Sequence, residues 1–334
     1  MENILNVQCE YYNNGKLKKK YYKNEEGYYH REDGPAIIEY FKNGNILHEE
    51  YRINGFVYKQ ISYYDNGNMQ LQLYFSKGKA HREDGPAKIF YYKNGVVKSK
   101  YYCIDGEIHR DNGPAKFCYD SNGDVISETY YKNGKKHNDN GPAEISYNNK
   151  KIEFEKYYIN GYLHRINEPA IIRYHKNGNV KTHTYFINDK YNRDNGPSII
   201  TYYENGNIRS EYYYVNDKRH REGKPAVVFY DNNGNIEVEK YFLNDLYHRE
   251  DGAAEIFYWD NAIESQYYYL NDSRVNIDDY KNLNKIDIIV LINKFNDIQN
   301  LLILKLVINV VFNGDNELIE KLEAKLLFNK LEGE

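Results

Sequence analysis

His30-Arg31-Glu32-Asp33-Gly34-Pro35-Ala36 returns intact at His81, with small edits at His109 and His137, more altered at His164, Asn192 and His220, and as HREDGAA at His248. From His81 the starts lie 28, 28, 27, 28, 28 and 28 residues apart. A fixed period of this length is the signature of stacked supersecondary units, each packing only on its neighbours.

Outward from the proline, each repeat opens with an extended stretch such as AIIEYF, AKIFYY, AVVFYD or AEIFYW. Every second residue gives one face, Ala36/Ile38/Tyr40, Ala87/Ile89/Tyr91 or Ala254/Ile256/Tyr258, while Lys88, Glu144, Arg173 and Glu255 fall on the other. That alternation predicts a strand with one buried face. The strand stops at Asn-Gly, as at Asn43-Gly44, Asn94-Gly95 and Asn205-Gly206. Asn-Gly between apolar runs signals a two-residue hairpin turn with positive φ at both positions. Counted from that Gly, the return strand carries Ile or Val at +2 and Tyr at +7. Their parities differ, which predicts a bulge near +4 to +6. A second turn comes next, for example at Asn54-Gly55, Asp105-Gly106 or Asn216-Asp217, and then the His-Arg-acid-acid-Gly-Pro loop. Ten hairpins between residues 7 and 272 are expected, in a single-layer twisted sheet whose twenty strands would extend on the order of 95 Å.

From Asn276 dense Ile and Leu at helical spacing predict two or three helices, with Asn284, Asp297 and Asp315 as N-caps and Asn313-Gly314 as a stop. The division expected is a repeat array over 1–274 and a helical segment over 275–334. The helices would cover the open edge of the last hairpin or serve as a docking element.

Composition narrows the classes of function. The 39 Tyr against one Trp and two Met mark Tyr as a repeat position. Up to residue 275 there are 38 basic and 39 acidic residues, which argues against a nucleic-acid groove. Cys9, Cys103 and Cys118 lack metal-ligand spacing, the N-terminal stretch does not read as a signal peptide, and no long uncharged apolar run is present. The reading is a soluble intracellular protein.

A repeat of Tyr-Tyr-x-Asn-Gly followed by Asn-Gly-x-x-His-x-x-x-Gly-Pro-Ala resembles the MORN repeat, and more closely its divergent variant. Gly78-Lys79-Ala80-His81 and Gly134-Lys135-Lys136-His137 match the start of its connecting phrase, and Gly85 and Gly141 its later Gly. The Arg-acid-acid stretch and the Pro-Ala depart from it. The HREDGPA arrays in an Asn-, Tyr-, Ile- and Lys-rich chain also look like repeat proteins of giant DNA viruses, which would place the protein in the host cytoplasm or the virion. The resemblance implies an elongated, mainly β array of antiparallel hairpins with a helical cap, and a role as scaffold or membrane-attachment module.

Two sets of residues are candidates for a site. The loop ladder comprises His30, Arg31, His81, Arg82, His109, Arg110, His137, His164, Arg165, Arg193, His220, Arg221, His248 and Arg249. Successive loops lie two strands, ~10 Å, apart, too far for neighbouring histidines to share a metal, and one loop offers too few ligands. Recurrence along an edge also disfavours a single catalytic constellation. The expected role is structural, each Arg pairing with an acid and each His bonding to backbone. The second set is the outward aromatics Phe90, Tyr92, Tyr203, Phe229, Phe257 and Trp259, cross-strand neighbours that would form a groove for a partner's segment if contiguous. The function expected is therefore a non-enzymatic scaffold for protein partners, without cofactor or metal. A peripheral membrane or phosphoinositide module and a structural virion component are the alternatives.

Overall fold

The computed structural model of the chain describes residues 5–193 and 195–332. It is mainly β, with antiparallel hairpins followed by three helices. Two compact units divide it, Met1–Arg165 and Ile166–Glu334. The division falls inside the repeat series, so the helices share the second unit with the last hairpins. Among the described residues the first unit holds six hairpins and the second four.

In the first unit Asn6–Tyr11 pairs with Leu17–Lys23, and each return strand then pairs with the first strand of the next hairpin, through to Glu144–Asn148 and Lys151–Lys156. The second unit repeats the scheme from Ile171–Tyr174 and Val180–Thr184 to Glu255–Trp259 and Ala262–Leu270. Where the loop phrase is missing, Ile46–Ile53 turns at Asn54-Gly55 straight into Phe56–Tyr63, and the ladder continues without interruption.

The turns depart from the expected geometry in an instructive way. Where the first turn is Asn-Gly, only Gly has positive φ, as in Gly44 at 97° and Gly206 at 92°; where that Gly is lost, Asn149 (50°) and Lys150 (64°), and Asp260 (49°) and Asn261 (62°), both have it. The Asn side chain decides this: Asn43 Oδ1 accepts from Asn45 N at 3.0 Å and Asn205 Oδ1 from Asn207 N at 3.0 Å, which holds Asn in an ordinary turn conformation. The result is a three-residue loop with Gly in the left-handed region, a turn that builds its own bulge. The register shift accordingly falls at +3, between the pairs Glu39↔His48 and Tyr40↔Ile46, and not at +4 to +6. Two-residue turns with positive φ at both positions also form the second turns, as at Asn54 (46°) and Gly55 (83°) or Asn216 (49°) and Asp217 (69°).

The bulge also resolves the parity conflict, because it brings +5 and +7 onto the face of Ala36, Ile38 and Tyr40. The Ala after Pro is fully buried wherever it occurs, from Ala36 to Ala226, as is Ala254, which follows Ala253. The other face is not simply exposed, since Ile37, Ser99, Thr129, Thr184 and Ser210 on it are buried too.

The helices are α1 (Lys285–Lys294), α2 (Ile298–Val311) and α3 (Asn316–Glu332), preceded by a 3-10 turn at Ile277–Tyr280. All three expected caps form: Asn284 makes a capping box with Asp287, Asp297 accepts from Asn300 N, and Asp315 from Leu318 N. Asn313 (50°) and Gly314 (69°) end α2 with positive φ, as the stop requires. Leu270, Val275 and Ile277 join Ile288, Leu301, Leu304, Val307, Leu318 and Leu322 in one apolar core, which seats the helices on the last hairpin. Lys305 Nζ donates to Glu250 Oε2 at 2.6 Å and Asn309 Nδ2 to the Glu250 carbonyl at 3.0 Å, fixing α2 to the last loop.

Candidate interaction surface

The loop ladder forms a regular lattice. Each Arg lies over the +7 Tyr of the same repeat, with Cζ 4.4 Å from the ring centroid at Arg31–Tyr22, 4.1 Å at Arg82–Tyr74, 3.9 Å at Arg110–Tyr102, 3.8 Å at Arg165–Tyr157, 4.0 Å at Arg193–Tyr185, 3.7 Å at Arg221–Tyr213 and 4.0 Å at Arg249–Tyr241. Its nitrogens then bond within the loop: Arg31, Arg82 and Arg249 to the Asp two residues on, and Arg110, Arg193 and Arg221 to the Pro carbonyl four residues on. The guanidinium beside Asp33 and Asp84 holds both carboxyls below the usual range. At Gly34 and Gly252 glycine is needed for space, not for φ. A Cβ at Gly34 would stand 2.9 Å from Arg31 Cζ, and one at Gly252 3.0 Å from Arg249 Cζ.

The histidines staple one repeat to the next. Nδ1 accepts a backbone N–H of the following second turn: Asn54 for His30 and Asp105 for His81 at 3.1 Å, Asn133 for His109 at 3.1 Å, Asn160 for His137 at 3.2 Å and Asn271 for His248 at 3.3 Å. His220 Nδ1 lies 3.1 Å from Asn244 Oδ1. Nε2 faces the acid two residues on, at 3.1 Å for His109–Asp111 and 2.9 Å for His137–Asp139. His164 keeps to the same path, its N–H donating to the Tyr157 carbonyl at 3.2 Å. Among the described residues no three His, Cys, Asp or Glu gather as a metal-holding group.

Beneath the Arg layer runs a polar spine that the sequence reading missed. The +5 residue sits between two tyrosines. Glu49 accepts from Tyr51 (3.3 Å) and Tyr63 (2.7 Å), Glu211 from Tyr213 (3.4 Å) and Tyr230 (3.0 Å), Glu128 from Tyr147 (3.2 Å) and Glu239 from Tyr258 (2.9 Å). Burial, reinforced by the carboxylate, pushes the Tyr51, Tyr147 and Tyr258 phenols up to about 12 and moves Tyr63 and Tyr230 the same way. The signal was present in the sequence: Glu, Gln, Lys or His stands two residues before every +7 Tyr.

The aromatic candidates divide. Tyr92 and Tyr203 use their hydroxyls to bond the carbonyl of the next hairpin, Tyr119 at 2.9 Å and Tyr230 at 2.8 Å. Phe90, Phe229 and Phe257 are half-buried, each edge-on to Tyr101, Tyr212 or Tyr267 at 5.8, 5.9 and 6.1 Å, while Trp259 is 75% exposed. Phe90 and Tyr92 lie in the first unit and the other four in the second. Within the second unit Phe229 and Phe257 each pair with Val238, so they share the face opposite the loops. A second aromatic run, also unforeseen, flanks the second turns: Phe186–Tyr191 (4.4 Å), Tyr191–Tyr214 (5.2 Å), Arg219 over Phe242 (3.9 Å), Phe242–Tyr247 (4.3 Å) and Tyr247–Tyr269 (5.2 Å).

In the first unit Glu50 gathers His48 (3.3 Å), Arg52 (2.7 Å) and Gln60 (3.1 Å), and His48 and Arg52 hold its carboxyl at about 2. No described helix is long and apolar enough to cross a membrane.

Among known proteins, the model of the MORN repeat variant matches residues 116–133 and 199–216. No curated protein sequence matches the chain. Similar solved structures include the crystal structures of TcdB2-TccC3-Cdc42 (12% identity, 76% of this chain, TM-score 0.16), TcdB2-TccC3-TEV (12%, 80%, 0.15) and TcdB2-TccC3 without its hypervariable C-terminal region (12%, 78%, 0.15). The chain spans about 15% of the length of these solved chains. Each family match covers one hairpin, from its first strand to the first residue of its second turn, and leaves the His-Arg loop outside. At these two stretches the chain carries MORN repeats of the variant type.

Proposed function

We propose that the protein is a non-enzymatic scaffold that docks protein partners on the face opposite its loops. The observation supporting this most strongly is how the repeated reactive side chains are used. The Arg side chains pack on Tyr and bond within their loops, and five of the loop histidines accept a backbone N–H of the next turn. What remains for a partner is the half-buried Phe229 and Phe257, with exposed Trp259 at the adjoining turn. Large aromatics of this kind are favoured anchors in protein interfaces. Basic side chains are interleaved with acids, as in Lys19–Glu39 (3.0 Å) and Lys240–Glu255 (2.9 Å), which weakens the case for an anionic membrane surface.

The test is selection of a displayed peptide library on the full chain, repeated on Phe229→Ser and Phe257→Ser. Enrichment on the native chain and its loss on both variants is expected. Sedimentation with phosphatidylserine and phosphoinositide vesicles, without any enriched peptide, would replace this reading by the membrane one.

A further inference from the structure

In the second unit each return strand offers three residues to the next first strand: Thr182–Thr184 to Ile199–Thr201, Ser210–Tyr212 to Val227–Phe229, and Val238–Lys240 to Glu255–Phe257. The last return strand, Ala262–Leu270, presents Ser265, Gln266 and Tyr267 at the same register. Among the described residues no further strand pairs with them. The helices do not fill the place: a cavity of about 890 Å³ lies there, lined by Gln266, Tyr267, Tyr268, Arg274, Val310 and Val311 among others. The expected covering of this edge by the tail is therefore incomplete, because the apolar core pulls the helices onto Leu270, Val275 and Ile277, beyond the second turn.

We propose that this open place is filled by strand addition, an extended segment of a partner protein lying antiparallel to Ser265–Tyr267 with an acidic residue on Arg274. The proposal deepens the scaffold reading and rests on it. The register specifies the segment. Arg274 pairs with Tyr269 across the second turn, as Lys136 pairs with Tyr131 and Tyr247 with Phe242. Lys136 Nζ donates to Glu144 at 2.6 Å and Tyr247 Oη to Glu255 at 3.5 Å, and each of these acids is the first residue of the next strand, directly after the buried Ala. Arg274 is exposed, lies 4.7 Å over the Tyr267 ring, and has no acidic partner among the described residues. It therefore awaits an acid at that place. The open main-chain place is at Gln266, whose counterpart Glu239 pairs with Ile256 of the next strand, whereas Tyr268, unlike Tyr213 and Tyr241, is already paired with Val275 across the second turn. The segment so defined reads small, acidic, aliphatic, and its alternate side chains meet Val310 and Val311. A multiply charged lipid headgroup fits poorly, since Lys281 is tied to Asp278 and Glu255 and Glu264 line the adjoining cavity with Arg274.

The probe is a fluorescent peptide with the residue order of Ala254–Tyr258, AEIFY, against a second with the order of Ala87–Tyr91, AKIFY, titrated by anisotropy into the full chain. The acidic peptide should bind about tenfold more tightly, the size of one charge-assisted contact. Arg274→Glu should reverse the order, a result that an unfolded variant cannot give. Equal binding of the two peptides, or no binding of either, overturns the proposal. If library peptides are retained through Phe229 and Phe257 while these probes are refused, strand addition falls and the scaffold reading stands; if neither is retained, both fall. Sedimentation showing that a second copy's Asn6–Tyr11 strand occupies the edge and excludes the peptide overturns the assigned occupant.

Discussion

At Arg221 the guanidinium lies 3.7 Å over Tyr213 and donates to the Pro225 carbonyl, in a loop closed over by the next repeat. At Arg274 the same kind of group lies 4.7 Å over Tyr267, exposed, beside a cavity. The two hold different repeat positions, Arg221 in the loop and Arg274 where Arg219 and Tyr247 stand after the second turn, and no described strand pairs after the hairpin of Arg274. The array thus uses one stacked guanidinium as structure inside it and leaves another exposed at its end.

The contrast can be broken from the inside. Enlarging the alanine that every loop closes upon should have the greatest effect: Ala226→Leu, at a fully buried site, is expected to cost roughly 1–3 kcal/mol through overpacking, read as a shift in the denaturant midpoint. Removing a stacked guanidinium comes next. Arg110→Ala should lose about 1–2 kcal/mol, and Arg110→Lys should recover little of it, because the planar group both stacks on Tyr102 and reaches the Pro114 carbonyl. Unequal glycines sharpen the point. Gly85→Ala pushes a Cβ to 3.1 Å from Arg82 Cζ, whereas Gly141→Ala meets only Asn138 Nδ2 at 3.6 Å, so the first should cost more in paired thermal melts.

Acid should separate the tail from the array. The His248 imidazole and the Lys305 ammonium hold the Glu250 carboxyl at about 2, below its unfolded value of about 4.3. A carboxyl depressed by folding stabilises the folded form above the unfolded value, and that contribution is lost as pH falls from about 4.3 towards about 2. Hydrogen exchange in α2 should therefore quicken over this window, and Lys305→Met should flatten the dependence. The smallest effect expected is that of Arg274→Ala, near zero and within about 0.5 kcal/mol, as befits an exposed group with no acidic partner among the described residues.

Much of this was legible in the sequence, and for physical reasons. The HREDGPA period, the Ala-x-Ile-x-Tyr alternation and the Asn-Gly turns are local signals, and they pointed to the hairpins, the strand order and the helix caps at Asn284, Asp297 and Asp315. The Asn-Gly first turns came out as three-residue loops because a side chain such as that of Asn43 bonds its own backbone, a choice that the dipeptide alone does not reveal. The tyrosine spine at Glu49 and Glu211 and the Arg–Tyr stacks join residues brought together only by pairing, so their contacts were not visible although their residues were. The open edge beside Tyr267 was hidden for a further reason: it depends on where the helices settle, and that is fixed by the tail's own core.

The most direct test of strand addition is hydrogen exchange on the full chain, comparing the amide of Gln266, which faces the open edge, with that of Glu239 one repeat earlier, which faces the next strand. Much faster exchange is predicted at Gln266, reduced to the level of Glu239 by the AEIFY peptide. Equal protection in the free chain would mean that the last edge is already covered, and would contradict the proposal.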